Sequence, residues 1–186
     1  MEKSAVIIGG GLGGLFTGAI LSKEGVKVTV IEKNPTVGGG LQSFRRFGET
    51  FDTGMHVIGG MQEGGNIRRI CEYLGIFDKV HVMDVDPDVI DTLYFAEDRK
   101  TYKIAQGKEG FVNALSESFP DQKDNLRAYV DAVYAIVDEL DMFYLRPSQD
   151  FIFVHSEDFM MPADGFIAKY ISDRKLCSVL AYMNPL

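Results

Sequence analysis

The chain is poor in the residues that most often announce a site. It has two cysteines, Cys71 and Cys177, in 186 residues. They lie far apart and show neither CxxC nor Cys/His spacing, so a disulfide framework and a zinc site are both excluded as organising features. They read as buried, reduced thiols. The three histidines, His56, His81 and His155, are too scattered to form a sequence-readable metal motif. Basic charge is also in deficit: 19 Lys and Arg against 27 Asp and Glu leave a net charge of −8. That balance excludes the basic face of a nucleic-acid binder. There is no repeat, low-complexity tract or polybasic segment. What remains is ordinary globular composition, 46% hydrophobic and 25% charged, enough for one large domain or one and a half small ones.

A clean apolar span is missing as well. The uncharged run "SAVIIGGGLGGLFTGAILS", Ser4 to Ser22, has the length of a membrane helix but contains six glycines. Each glycine costs a helix interior about 1 kcal/mol relative to alanine. A signal peptide would place small residues at the end of the run rather than in its middle. The run divides better into a buried strand over residues 5–8, a tight turn over 9–14, and a helix from Leu12 to about Lys23. Leu15, Phe16, Ala19 and Ile20 form the helix's apolar face, and Gly25 lies just past its end. The β-branched run over residues 26–31 is the next parallel strand, which completes a βαβ unit.

In Gly9-x-Gly11-x-x-Gly14 the first glycine permits the strand-to-helix turn. The second lets backbone approach a pyrophosphate, and the third lets helix and strand pack closely. The helix N-terminus offers N–H groups and a partial positive charge to phosphates. Glu32, at the end of the second strand, is placed to accept hydrogen bonds from ribose hydroxyls. A lone GxGxxG is weak evidence; strand, GxGxxG, helix, strand and acid in this order is specific for a dinucleotide. Asn34-Pro35 is a turn, and Gly38-Gly39-Gly40 follow at once. A plain NAD-binding domain does not need them, but a chain passing close to an extended cofactor does.

The stretch "VIIGGGLGGL…VTVIEKNPTVGGGLQS…FDTGMH" resembles the N-terminus of FAD-dependent amine-oxidase-like and phytoene-desaturase-like flavoproteins. The nearest resemblance is to phytoene dehydrogenase-related proteins, carotenoid isomerases and retinol saturases. It is specific over residues 5–60 and diffuse beyond. The resemblance implies FAD as cofactor, with its pyrophosphate among Gly9, Gly11 and Gly14, its ribose on Glu32, and its diphosphate and ribityl chain along Gly38 and Gly39. It implies that Phe51–His56 leads toward the flavin ring. Leu12, Gly13, Lys33, Gly40 and Leu41 complete the candidate cofactor contacts. The family usually carries Arg after the Gly-Gly pair. Here the residue is Gly40, which leaves the phosphates to backbone N–H groups or to Arg45 and Arg46, a pair that reads equally as solvated. His56 is the sole catalytic candidate, beside its reading as a structural histidine. Asp52 reads as a turn brace rather than an acid or base.

Beyond residue 60 the pattern predicts a helix over 66–74 stopped by Gly75. Strands are expected over 80–84, 89–96 and 101–105, the last two forming a hairpin. A helix over 109–119 precedes a long amphipathic helix from 121 to about 144. A helix pair over 164–183 is hinged at Ser172-Asp173. The expected fold class is α/β: an incomplete Rossmann-like FAD-binding βαβ portion over 1–78, then the start of an α+β substrate domain over 79–186. The large apolar residues after 140 fit a core, a tunnel for a hydrophobic small-molecule substrate, or a face in peripheral membrane contact. With only two secure parallel strands, the expectation is a fragment of a longer cytoplasmic or membrane-peripheral oxidoreductase, with exposed apolar surface open to association. The rival reading is a non-catalytic nucleotide-binding module.

Overall fold

The computed structural model describes residues 3–55, 57–141, 143–147 and 155–183. The chain divides into two compact units, residues 1–82 and 83–186.

The first unit begins with strand β1 (Ser4–Ile8), helix α1 (Leu12–Lys23) and strand β2 (Lys27–Ile31). β1 and β2 pair in parallel, from Ser4 opposite Lys27 to Ile8 opposite Ile31. α1 lies on one face of this pair, and Gly18 makes the close approach. A Cβ there would stand 3.3 Å from Ile7 Cδ1 and 3.4 Å from Val30 Cγ2. The helix ends as expected, with Gly25 at a left-handed φ of 82°. The opposite face of the sheet is bare: Val6 is 65% exposed and Ile8 88%.

A hairpin follows, β3 (Ser43–Arg46) and β4 (Glu49–Asp52), antiparallel with Phe44 opposite Phe51. Sequence patterning does not predict it. Helix α2 (Asn66–Leu74) matches its expected bounds and stops at Gly75, whose φ is 71°. It is tied to the end of α1 by two contacts. Lys23 Nζ donates to the Tyr73 carbonyl at 2.6 Å, and the Tyr73 hydroxyl donates to Glu24. Cys71 is buried on α2, and burial pushes its thiol pKa up, as it does for Cys177. Both cysteines are free; Cys71 is buried as expected, whereas Cys177 is only half-buried.

The expected strand over 80–84 is not formed; these residues are coil, and Val80, Val82 and Met83 are exposed. The alternating pattern is present, but a strand needs a partner to satisfy its backbone groups, and none pairs with it among the described residues.

The second unit opens with the predicted hairpin, β5 (Asp91–Phe95) and β6 (Lys100–Ile104). Helices α3 (Gly107–Ser116), α4 (Lys123–Asp138), α5 (Glu157–Met160), α6 (Ala163–Tyr170) and α7 (Arg174–Leu180) follow. Its core joins Tyr102 and Ile104 of β6 to Val112 and Leu115 of α3, Leu126 and Val130 of α4, and Ile167, Leu176 and Val179 of the last helices. Lys175 of α7 reaches the β5–β6 turn, 2.9 Å from Asp98 and 3.9 Å from the centre of the Phe95 ring. The α6–α7 break falls at Ser172-Asp173 as expected. There the Asp173 carboxylate accepts the Leu176 N–H at 2.8 Å and caps α7. α4 is shorter than the periodicity suggests. The apolar stripe continues toward Tyr144, but Arg146 turns back and donates to the Asp138 carbonyl at 2.7 Å, closing the helix there.

Candidate functional site

The strand-to-helix turn is built almost wholly from backbone. Gly9, at a φ of 105°, donates its N–H to the Ile31 carbonyl at 2.7 Å, which carries the sheet pairing one residue beyond β1. Gly11 is the N-cap of α1, with no side-chain cap and no acidic residue in the first turn. The first-turn N–H groups lack partners within the helix and carry the positive end of the helix dipole.

The glycines fall into two groups by what a side chain would meet. At Gly14 a Cβ would stand 2.1 Å from the Gly9 carbonyl oxygen and 3.3 Å from Ile7 Cγ2; the fold itself requires this glycine. At Gly13 a Cβ would meet nothing within 4 Å, and at Gly11 only the Gly39 Cα at 4.0 Å. Among the described residues no packing accounts for glycine at 11 and 13. They bare the helix N-terminus, as a bound diphosphate requires. The residues present therefore fit a dinucleotide.

Gly10 is buried and belongs to the site, although the spaced motif passes over it. Its N–H donates to Glu32 Oε2 at 2.7 Å. A Cβ there would lie 3.0 Å from Val37 Cγ1 and 3.2 Å from the same carboxylate oxygen. The available signal was the uninterrupted Gly9-Gly10-Gly11 run. The other oxygen, Glu32 Oε1, accepts the Asn34 N–H at 2.8 Å. These bonds, that from Asn34 first and that from Gly10 second, hold the Glu32 carboxyl below its ordinary 4.5. A carboxylate offers about four lone-pair sites, so Glu32 can brace the turn and still accept from a ribose.

The second glycine cluster comes to the same place. The Gly38 N–H donates to the Gly10 carbonyl at 2.7 Å, and Gly11 and Gly38 form a parallel bridge. Gly39, at a φ of 58°, packs so closely that a Cβ would sit 3.1 Å from Gly11 Cα. Gly39–Leu41 make a single 3₁₀ turn. Behind it the Met55 N–H donates to the Gly40 carbonyl at 3.1 Å, and Thr53 donates through its N–H and hydroxyl to the Gln42 carbonyl. Backbone thus links Gly9–Gly14, Gly38–Gln42 and Thr53–Met55. Leu12 is half-buried at the start of α1, while Lys33 and Leu41 are exposed beside the site. Arg45 and Arg46 stand on β3 opposite Thr50 and Glu49. His56 lies outside the described residues. Among the described residues no cluster of His, Cys, Asp and Glu could hold a metal ion.

The lowered Glu32 value has a testable sign. A carboxyl whose folded value is depressed adds stability above its unfolded value, and that stability is lost as pH falls below 4.5 through the folded value. Urea midpoints measured between about pH 6 and pH 3 should fall more steeply for the parent chain than for Glu32→Gln. Equal pH slopes would show that the brace contributes nothing.

Strand, glycine turn, helix, strand and terminal acid define the chain's first unit as a dinucleotide-binding, Rossmann-like domain. Residues 7–74 match the NAD(P)-binding Rossmann-like domain family. Prolycopene isomerase 1 of an Oncidium hybrid cultivar, a chloroplastic protein, is 27% identical over 185 residues, which is 99% of this chain and 29% of that protein. All-trans-retinol 13,14-reductase of Macaca fascicularis is 35% identical over 137 residues, 73% of this chain and 22% of that protein. A solved protein of Pyrococcus furiosus superposes with a TM-score of 0.55 at 21% identity, covering 95% of this chain and 36% of its own, a likeness of fold. The chain is thus similar to the N-terminal part of this carotenoid isomerase and this retinol reductase. It spans under a third of the length of the curated relatives above.

Proposed function

We propose that this chain is the N-terminal, cofactor-holding portion of an FAD-dependent oxidoreductase, of the desaturase, saturase or isomerase type, acting on a hydrophobic polyene or similar lipid. The observation that carries the proposal is the pair of glycines at 11 and 13, where a Cβ would meet no closer atom among the described residues than Gly39 Cα at 4.0 Å. In this reading the α1 N-terminus and the N–H groups of Leu12, Gly13 and Gly14 hold the pyrophosphate. Glu32 accepts from the adenosine ribose while Gly10 and Asn34 fix its orientation. Gly38–Leu41 lie along the extended part of the cofactor, with backbone in place of the arginine common in the family. Bound flavin would supply hydride or electron transfer to a substrate carbon–carbon bond; this chain's residues bind and orient it. The relatives' names, an isomerase of prolycopene and a reductase of retinol, support a polyene substrate. The chain by itself is expected to be inactive, because it spans so little of those relatives.

The test is colour. Heating the purified chain should release FAD, absorbing at about 450 nm, in stoichiometric amount. A colourless chain that takes up no FAD on titration would rule out autonomous binding. The match of residues 7–74 to an NAD(P)-binding family supports one second reading, a non-catalytic nucleotide-binding module. That reading expects a change in NADH fluorescence on binding and no yellow protein.

A further inference from the structure

The tip of the β3–β4 hairpin carries a feature that its fold does not explain. The two turn residues are Phe47 and Gly48, with φ of 54° and 85°. Both positions of such a turn are left-handed, which suits Asn-Gly and opposes a bulky side chain. Phenylalanine there is a backbone outlier, held against its preference. Packing gives it nothing in return, since Phe47 is 87% exposed. The guanidinium of Arg46 lies 5.0 Å from the centre of its ring. Arg45 is also exposed, on the other face of β3. Below the tip Phe44 and Phe51 stack with ring centres 5.4 Å apart, each little more than half covered. Glu49, opposite Arg46, is the acidic residue at this end of the hairpin. In a chain of net charge −8, this end carries two cations against one carboxylate.

We propose that this hairpin tip is an interfacial anchor that inserts Phe47 into the headgroup region of an anionic bilayer, with Arg45 and Arg46 paired to lipid phosphates. The shape favours a bilayer over a protein groove. The aromatic projects from a convex turn, and the cations sit at its base, where long side chains reach polar headgroups while their stems stay in apolar surroundings. One aromatic and two cations make a weak, reversible contact that depends on anionic lipid. It lies on a different element from the apolar residues after 140 that suggested membrane contact from sequence. It does not depend on the cofactor reading, because its test never measures FAD.

The sequence contains no tryptophan, so Phe47→Trp places a single indole at the tip of the full chain. With vesicles of phosphatidylcholine and phosphatidylglycerol its emission should shift to the blue and be quenched by brominated lipid. Pure phosphatidylcholine should give little of either. Phe47→Asn suits the left-handed position and should fold at least as well as the parent. Its partition in vesicle cosedimentation should fall about tenfold. Arg45→Gln with Arg46→Gln should lose the preference for anionic lipid by about tenfold. The proposal is overturned if the parent does not cosediment with anionic vesicles, or if Phe47→Asn cosediments as well as the parent. It is equally overturned if the indole emission of the Phe47→Trp chain shifts with protein concentration and no lipid, which would make the tip a protein contact.

Discussion

Gly11→Ala is expected to fold like the parent and to lose FAD, while Gly14→Ala is expected to lose the turn itself. The two substitutions add the same methyl group to the same motif, three residues apart, and differ in what it meets. At Gly11 the φ of −75° is open to any residue, and the nearest atom to the new Cβ is Gly39 Cα at 4.0 Å. Replacing a glycine N-cap by alanine costs under about 1 kcal/mol, so urea unfolding should change little. The methyl group nevertheless stands where a diphosphate would lie against backbone, and affinity should fall by about a hundredfold or more. At Gly14 the new Cβ would lie 2.1 Å from the Gly9 carbonyl oxygen. Backbone cannot rotate away as a side chain does, so α1 must lift from β1, at a cost of about 3 kcal/mol by the scale of core overpacking. FAD titration with urea denaturation on both variants separates the two roles. Full affinity in Gly11→Ala would refute the assignment of this turn to phosphate. Parent-like stability in Gly14→Ala would refute the close packing of α1 on β1.

That contrast also shows which parts of the site are legible in sequence. Spacing identifies Gly9, Gly11 and Gly14 as a set because the strand and helix that flank them have their own apolar periods. It cannot divide the set into glycines needed by the fold and glycines left open, since the division depends on where Gly9 oxygen and Gly39 come to rest in space. The spaced motif passes over Gly10 for the same reason, and only the unbroken Gly9-Gly10-Gly11 run hints at it. Its constraint comes from Val37 and the Glu32 carboxylate, 27 and 22 residues away by chain number, which a Cβ at this position would approach to 3.0 and 3.2 Å. The β3–β4 hairpin is hidden by its turn: Phe47-Gly48 lacks the asparagine or aspartate that marks a two-residue hairpin. The failed strand over 80–84 is the reverse case, where alternation is legible and the absence of a paired neighbour is not. By contrast α2 is read to the residue, because Gly75 stops it locally, and the α6–α7 hinge is read because Asp173 caps α7 locally.

Leu126→Ala should destabilise the second unit by about 3 kcal/mol, the result expected if the α4 stripe is packed core. A helix lined with Leu126, Tyr129, Val130 and Val133 can face a packed core or a tunnel for an apolar substrate. Leu126 is 0% exposed and joins α3, α6 and α7 in one cluster. Tyr129 meets the rings of Phe166 and Tyr170 with centres 5.7 and 6.3 Å apart. Side chains in such contact leave a cavity when truncated, and leucine-to-alanine changes at buried sites cost about 2–5 kcal/mol. For a unit of this size that is a large share of total stability. Val137, further along the same stripe, is only half-buried, so Val137→Ala should cost about 1 kcal/mol or less. A tunnel wall would show the opposite order, because a residue facing a void loses few contacts when shortened. Urea midpoints for the two variants decide it. If Leu126→Ala unfolds with the parent, the stripe is not core; strong destabilisation shows that it is.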